Sequence, residues 1–262
     1  MIDHERTGNR SVTVARLAIF SDVHANLEAL EAVFRDLDHQ HVDRVLHLGD
    51  VVGYNASPCE VIDLLMERNV HGVQGNHDVA ALDLDLAEGF NMLAYHAILY
   101  TRQQLDAHHV EYLSGLPFSL LLEGQFLLFH GSLESVNTYI ANMYQAKRAF
   151  NFMRRQLPFV RIAFFGHTHV PKVWSRNSQG KIRALPLTKE PIILRSDEMY
   201  LINPGSVGQP RQKDSRAHYL IVDIDAMTVQ FRSVEYNITL AQAKILRAKL
   251  PEFLATRLAE GI

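Results

Sequence analysis

An apolar run that stops at a carboxylate and an imidazole limits this chain more than any other stretch. Residues 17–26 read LAIFSDVHAN: the run ends at Ser21, and Asp22 and His24 follow with one residue between them. A buried strand of a parallel sheet is a near-continuous apolar run, and ligands gather beyond the carboxyl ends of such strands. Extended-chain alternation sets residues i and i+2 on one side, so Asp22 and His24 are expected to point the same way. That pairing suits a divalent metal if other strand ends supply matching groups.

They do. The run Val42–Leu48 ends in Gly49-Asp50, and Val70–Gln74 ends in Gly75-Asn76-His77-Asp78. The run Gln125–Phe129 ends in His130-Gly131, and Val160–Phe165 ends in Gly166-His167-Thr168-His169. Glycine lets the backbone turn sharply and approach a ligand closely. Leaving His77 aside, two carboxylates, one amide oxygen and four imidazoles exceed what one zinc-like ion needs. The inventory suits two divalent ions if a carboxylate bridges them. Such a pocket keeps net positive charge, and a phosphate is the matching anion. Imidazole-rich ligation favours Mn, Fe, Zn or Ni over Mg or Ca.

The intervening segments set the fold class. Strands alternate with helices up to residue 78, with Leu27, Leu30, Val33, Phe34 and Leu37 at helical spacing in the first crossover. This predicts an α/β chain with a parallel sheet. Ser57-Pro58-Cys59-Glu60 reads as a capping box opening the next helix. Residues 79–114 read as a helical insertion, plausible as a cap, and residues 1–12 as a loose N-terminal tail. Two strands around Glu123-Gly124 form a tight hairpin. Short strands after residue 172 predict a second sheet packed on the first, and residues 239–260 close as one or two amphipathic helices. No linker or repeat divides the 262 residues, so one domain is expected.

Composition removes several classes. The formal charge of −3 and the lack of a basic run disfavour a polyanion partner such as nucleic acid. No apolar run reaches a membrane span. The polar first residues carry no leader-like apolar stretch, and Cys59 is the single cysteine, which fits a reducing, cytoplasmic setting.

The series Asp22-x-His24, Gly49-Asp50-x-x-Gly53, Gly75-Asn76-His77-Asp78, His130-Gly131 and Gly166-His167-Thr168-His169 resembles the calcineurin-like metallophosphoesterase family, all five blocks in order. Gly49-Asp50-Val51-Val52-Gly53-Tyr54 and Asn203-Pro204-Gly205-Ser206-Val207-Gly208-Gln209-Pro210-Arg211 are similar to its bacterial predicted-phosphodiesterase branch. The resemblance implies a four-layer α-β-β-α sandwich. It implies Asp22, His24 and His169 on one metal, Asn76, His130 and His167 on a second, and Asp50 between them, with manganese or iron favoured. It implies attack on phosphorus by a metal-activated hydroxide, His77 as the catalytic residue at the leaving oxygen, and Asp78 as the carboxylate that orients His77. Family protein phosphatases carry Gly-Asp-x-x-Asp-Arg-Gly and Gly-Asn-His-Glu. Here the first reads Gly-Asp-Val-Val-Gly-Tyr-Asn, without the arginine, and Asp78 replaces the glutamate. A phosphodiester is therefore the expected substrate class. A nucleotide or sugar phosphomonoester and a dinucleoside polyphosphate are the alternatives, with a metal-free protein-binding scaffold as a further one. Arg211, Tyr54, Asn55, Asn203 and His96 are candidate substrate contacts. The expected partner is a small phosphate ester, and the oligomeric state is open between monomer and homo-oligomer.

Overall fold

The computed structural model describes residues 15–262 and the short strand Asp3–His4. In chain order the elements begin with β1 (Asp3–His4), β2 (Arg16–Phe20), α1 (Leu27–Leu37), β3 (Arg44–His47), α2 (Pro58–Glu67), β4 (His71–Gly72) and α3 (Asn76–Leu82). A 3-10 turn (Leu84–Ala87), α4 (Met92–Gln104) and α5 (Ala107–Ser114) follow, then β5 (Ser119–Leu122), β6 (Phe126–Phe129), α6 (Met143–Gln156) and β7 (Ile162–Phe164). The remainder comprises β8 (Lys172–Arg176), β9 (Ile182–Ala184), β10 (Ile192–Ile193), β11 (Met199–Asn203), β12 (Ala217–Asp223), β13 (Thr228–Val234), α7 (Ile238–Arg247) and α8 (Glu252–Glu260).

These strands form two sheets, ordered β10-β13-β12-β2-β3-β4 and β1-β5-β6-β7-β11-β8-β9. As expected, β2, β3 and β4 run parallel, and β5 and β6 form an antiparallel hairpin. Glu123 and Gly124 at its tip have φ of 49° and 65°, which suits a primed hairpin turn. The tail expected to be loose contributes β1, paired parallel to β5; residues 5–12 lie outside the described residues.

The alternation of the strands explains the layering. Leu17 and Ile19 of β2 face the inter-sheet core with Leu120, Leu122, Phe126 and Leu128. Their neighbours Ala18 and Phe20 face α1 and α2, packing on Leu30, Val33, Val61 and Ile62. On the far side Leu121, Leu127 and Phe129 meet Phe150 and Met153 of α6. Each of these strands is covered on both faces, so each is apolar without interruption. The result is helices, sheet, sheet, helix: the four-layer α-β-β-α sandwich of the α/β class.

Local signals account for the helix starts. Asn26 caps α1 by accepting from the Ala29 N–H, with Pro58 at the first position of α2. The capping box expected at Ser57 is not made; its hydroxyl lies 3.5 Å from Lys244 Nζ. The apolar face of α7 and α8 packs on α4 and Tyr54, with Ile245, Leu250, Leu254 and Leu258 against Ala94 and Ala97.

Candidate metal centre

The ends of β2, β3, β6 and β7 and the start of α3 converge at one edge of the sandwich. Backbone conformation aims the side chains there. Asp22, His24, Asp50, His167 and His169 all have φ between 48° and 65°, a left-handed region that costs a non-glycine residue about 1 kcal/mol or more. Asp22 and His24 therefore share a direction through a turn; the extended alternation expected from sequence ends at Phe20. Cross-loop hydrogen bonds hold these conformations. The N–H groups of Asp22, His24 and Ala25 donate to the carbonyls of Gly49, Asp50 and Val51 at 3.1, 2.9 and 2.8 Å. Gly75 packs so closely that a Cβ there would overlap the Asp50 carboxylate.

Two clusters of metal-binding atoms result, Asp22/His24/Asp50/His169 and Asp50/His130/His167, and Asp50 belongs to both. Asp50 Oδ2 lies 3.4 Å from His24 Nε2 and 3.2 Å from His130 Nε2. Asp22 Oδ1 lies 3.3 Å from His169 Nε2, and Asn76 Oδ1 lies 3.0 Å from His130 Nε2.

The imidazoles are oriented by their far nitrogens. Nδ1–H of His24 donates to the Val52 carbonyl at 3.0 Å, that of His130 to Leu48 at 2.7 Å, and that of His169 to Gln209 at 2.7 Å. A carbonyl only accepts, so the proton is on Nδ1 and a neutral ring turns the Nε2 lone pair inward. Nε2 of His24 and His169 then face each other at 3.1 Å, lone pair to lone pair, an arrangement that calls for a cation. Nε2 of His167 is buried without a hydrogen-bond partner. Backbone carbonyls behind ligand imidazoles are the usual support of a metal site. The donor set fits divalent ions.

Electrostatics agree. Burial holds His24 and His169 well below the ordinary histidine value, and His167 at about 3, which keeps their lone pairs free. Burial would raise Asp50, but His130, His77 and His24 outweigh it and hold the carboxylate ionised. Burial lifts Asp22 to about 7, with Asp50 adding to the rise. His130 goes the other way: despite burial, Asp50 draws it up to about 9. A proton on Nε2 and a cation beside it answer the same demand.

The expected site residues divide. Asp50, Asn76, His77, His167 and His169 line a cavity of about 290 Å³ with Tyr54, Arg211, Phe90, Asn137 and Tyr139. Asp22, His24 and His130 lie beneath, fully buried. His77 is held at about 4 by burial, so it is neutral. Asp78 does not orient its ring. The Asp78 carboxylate accepts from the backbone N–H groups of Val51 (2.8 Å), Val52 (3.2 Å) and Gly75 (2.8 Å), and Nδ1 of His77 has no partner. Asp78 therefore ties the Asp50 loop to the Asn76 turn. Asn55 and Asn203 are also structural. Asn55 donates to the His24 carbonyl at 2.7 Å, and Asn203 donates to Gly166 O at 2.7 Å and Thr168 Oγ1 at 3.1 Å. His96 is exposed on α4 and lies outside the cavity lining.

Sequence reasoning missed Phe90 and Tyr139. Phe90 lies 4.8 Å from the His77 ring, and Tyr139 stacks on His167 at 4.0 Å. Both sit between elements, where periodicity carries no signal. The turn at residues 88–91 does reach the site.

A metal-binding edge on a four-layer α/β sandwich, open to a small cavity holding one arginine, defines a metal-dependent phosphoester hydrolase. Residues 16–227 match the calcineurin-like phosphoesterase superfamily domain, and the chain belongs to that family. An uncharacterized protein of Methanocaldococcus jannaschii, MJ0912, is 35% identical over 250 residues, 94% of this chain and 98% of that protein. The crystal structure of a metallophosphoesterase from Sphaerobacter thermophilus is 39% identical with a TM-score of 0.79, over 95% of this chain and all of that one. The hypothetical protein PH1004 from Pyrococcus horikoshii shares the fold at 20% identity, with a TM-score of 0.75 over 94% of this chain and 98% of that one. The chain is thus a hydrolase acting on phosphoester bonds, of a divalent-metal-dependent family with small phosphate-ester substrates. Among the described residues, no helix is long and apolar enough to cross a membrane.

Proposed function

We propose that the chain is a dinuclear phosphodiesterase whose two ions share Asp50. The supporting observation is the membership of Asp50 in both clusters. Asp22, His24, His169 and Asp50 would hold one ion, and Asp50, Asn76, His130 and His167 would hold the other. Manganese or iron suits this mixed imidazole, carboxylate and amide set. When bound, such a pair lowers the pKa of a water and neutralises charge on the phosphoryl oxygens.

The remaining work falls to the chain. Arg211 draws a phosphoryl oxygen into the cavity. Neutral His77 donates an N–H toward the leaving oxygen, stabilising charge there without supplying a full proton. Tyr54, Phe90 and Tyr139 wall the space for an ester substituent. Diester preference follows from the charge supply. Arg211 is the single lysine or arginine among the described cavity-lining residues, and Glu88 stands at the same wall. A monoanionic diester needs less positive charge than a dianionic monoester.

The test uses a chromogenic diester and its matched monoester, with chelator-stripped protein, added manganese and an Asp50→Asn control. Metal-dependent diester cleavage lost in the variant is the expected result. A monoester preference would move the reading to small phosphorylated metabolites. Tight metal binding with no turnover of either would support a scaffold.

A further inference from the structure

A third group of metal-binding atoms lies away from the catalytic cavity. It consists of Asp63 of α2 and His108 and His109 in the first turn of α5. Adjacent helical residues normally point apart by about 100°. These two converge, with ring centroids 3.9 Å apart. Nε2 of His108 lies 3.1 Å and Nε2 of His109 3.2 Å from the same oxygen of Asp63.

Their other nitrogens also share one target. Nδ1 of His108 and of His109 lie 2.6 and 3.0 Å from Asp106 Oδ1. Asp106 is fixed as the N-cap of α5, accepting from the N–H groups of His108 and His109 at 3.1 and 3.4 Å. A carboxylate behind the far nitrogen is the arrangement that orients metal-binding imidazoles and strengthens them as ligands.

Protons or a cation can satisfy the arrangement. A neutral imidazole has one N–H. The His108 contact to Asp106 is the shorter, so Nδ1 carries a proton; Asp63 and Asp106 together hold the ring above its ordinary value, so Nε2 carries a second proton toward Asp63 unless a cation takes its place. His109 Nδ1 lies 3.0 Å from the Asp106 carboxylate and accepts from the Asp106 backbone N–H at 3.4 Å, so this ring meets Asp106 as donor or as acceptor according to its tautomer. Two Nε2 atoms and one carboxylate oxygen therefore meet at one point, bridged either by protons or by a cation. One divalent ion satisfies all three. Ligands at about 2.0–2.1 Å from a tetrahedral zinc are about 3.3 Å apart, close to the separations here.

We propose that Asp63, His108 and His109 bind a late first-row divalent ion, zinc foremost, with Asp106 orienting both rings and water completing the shell. The imidazole-rich set selects against magnesium and calcium. The Asp63 and His108 side chains are 56% and 51% exposed, which leaves room for that water. The ion would pin the end of the 79–114 insertion to α2. A weak contact from Cys59 Sγ to the Gln104 carbonyl, 3.2 Å, joins the same two parts.

The experiment counts zinc bound by the metal-free 262-residue chain, titrated against a chromogenic competing chelator. Wild type is compared with Asp63→Asn and His108→Ala. Both substitutions are at half-exposed side chains, and unchanged circular dichroism and manganese-supported turnover would show that the variants fold. The expected result is one zinc fewer per chain in each variant, and a zinc-dependent rise in Tm of manganese-saturated wild type that neither variant shows. Equal zinc counts in all three would overturn the proposal and leave the pair held by protons. The readout is a difference between chains with the same catalytic residues, so it stands apart from the diesterase assignment.

Discussion

The imidazole of His77 fills the space where a side chain on Gly53 would begin. A Cβ there would overlap Nδ1 of the ring, and Gly53 itself sits at φ 90°, which an L-residue adopts only with strain. Gly53→Ala is expected to push His77 out of its place between Tyr54 and Phe90 while leaving the metal ligands alone. A positioned proton-transfer or charge-stabilising group contributes about 10²–10⁴-fold. The variant should keep its bound metal, measured by elemental analysis, and lose at least about tenfold in kcat. Unchanged kcat with an altered ring position would remove His77 from the chemistry.

Asp78 makes a different prediction now that its contacts are assigned. Its carboxylate accepts three backbone N–H groups with no solvent access. Asp78→Asn turns an NH2 group toward at least one of those donors. Leaving a buried donor unsatisfied costs about 1–3 kcal/mol, and the Asp50 loop and the Asn76 turn are held by it. Thermal unfolding should show a loss of that size, together with weaker metal retention. A variant as stable as wild type but slower would return Asp78 to a role at His77.

These two residues mark how far the sequence could be read. The convergence of the candidate ligands was legible because each follows an apolar run, and a sheet covered on both faces collects its strand ends at one edge. The roles next to the ligands were not legible. Asp78 follows His77 in the chain, yet its carboxylate turns toward backbone that only the folded loops bring near. The shared direction of Asp22 and His24 was expected for the wrong reason, since left-handed turns replace alternation there. Phe90 and Tyr139 depend on how the insertion and the 131–142 loop close over the edge, which local pattern does not encode. The C-terminal helices read correctly as amphipathic, but their packing on α4 and Tyr54 is a tertiary fact.

Arg211 should act on substrate rather than on metal. Its Nη2 donates to Gln209 Oε1 at 2.9 Å, its Nε is buried without a partner, and its guanidinium lies 5.9 Å from the centre of the Tyr54 ring. These contacts fix the group in the cavity wall. Charge-assisted hydrogen bonds contribute about 1.5–3 kcal/mol, so Arg211→Ala should lower kcat/KM for a diester by about 10- to 100-fold with metal content unchanged. Arg211→Lys should recover part of this, because it restores charge without the planar fork. Steady-state kinetics of the three chains decides it; equal kcat/KM values would place the arginine outside the substrate path.

Acid sensitivity should arise in part from His47, beneath the catalytic edge. Its Nδ1 accepts from the Gly49 N–H at 3.2 Å, which places the proton on Nε2, 3.1 Å from the Tyr112 hydroxyl. Burial, with His71 and His130 adding to it, holds it at about 3 against an ordinary value of 6.5. The unfolded chain therefore binds a proton that the folded chain refuses. Stability from this group is complete above pH 6.5 and declines as pH falls toward 3, by at most about 1.4 kcal/mol per pH unit. His47→Gln keeps a donor for Tyr112 and removes the titration. The stability gap between wild type and variant, from denaturant unfolding at matched metal, should narrow steadily between pH 6.5 and 4. A gap that stays constant would mean that His47 takes up its proton without leaving the fold.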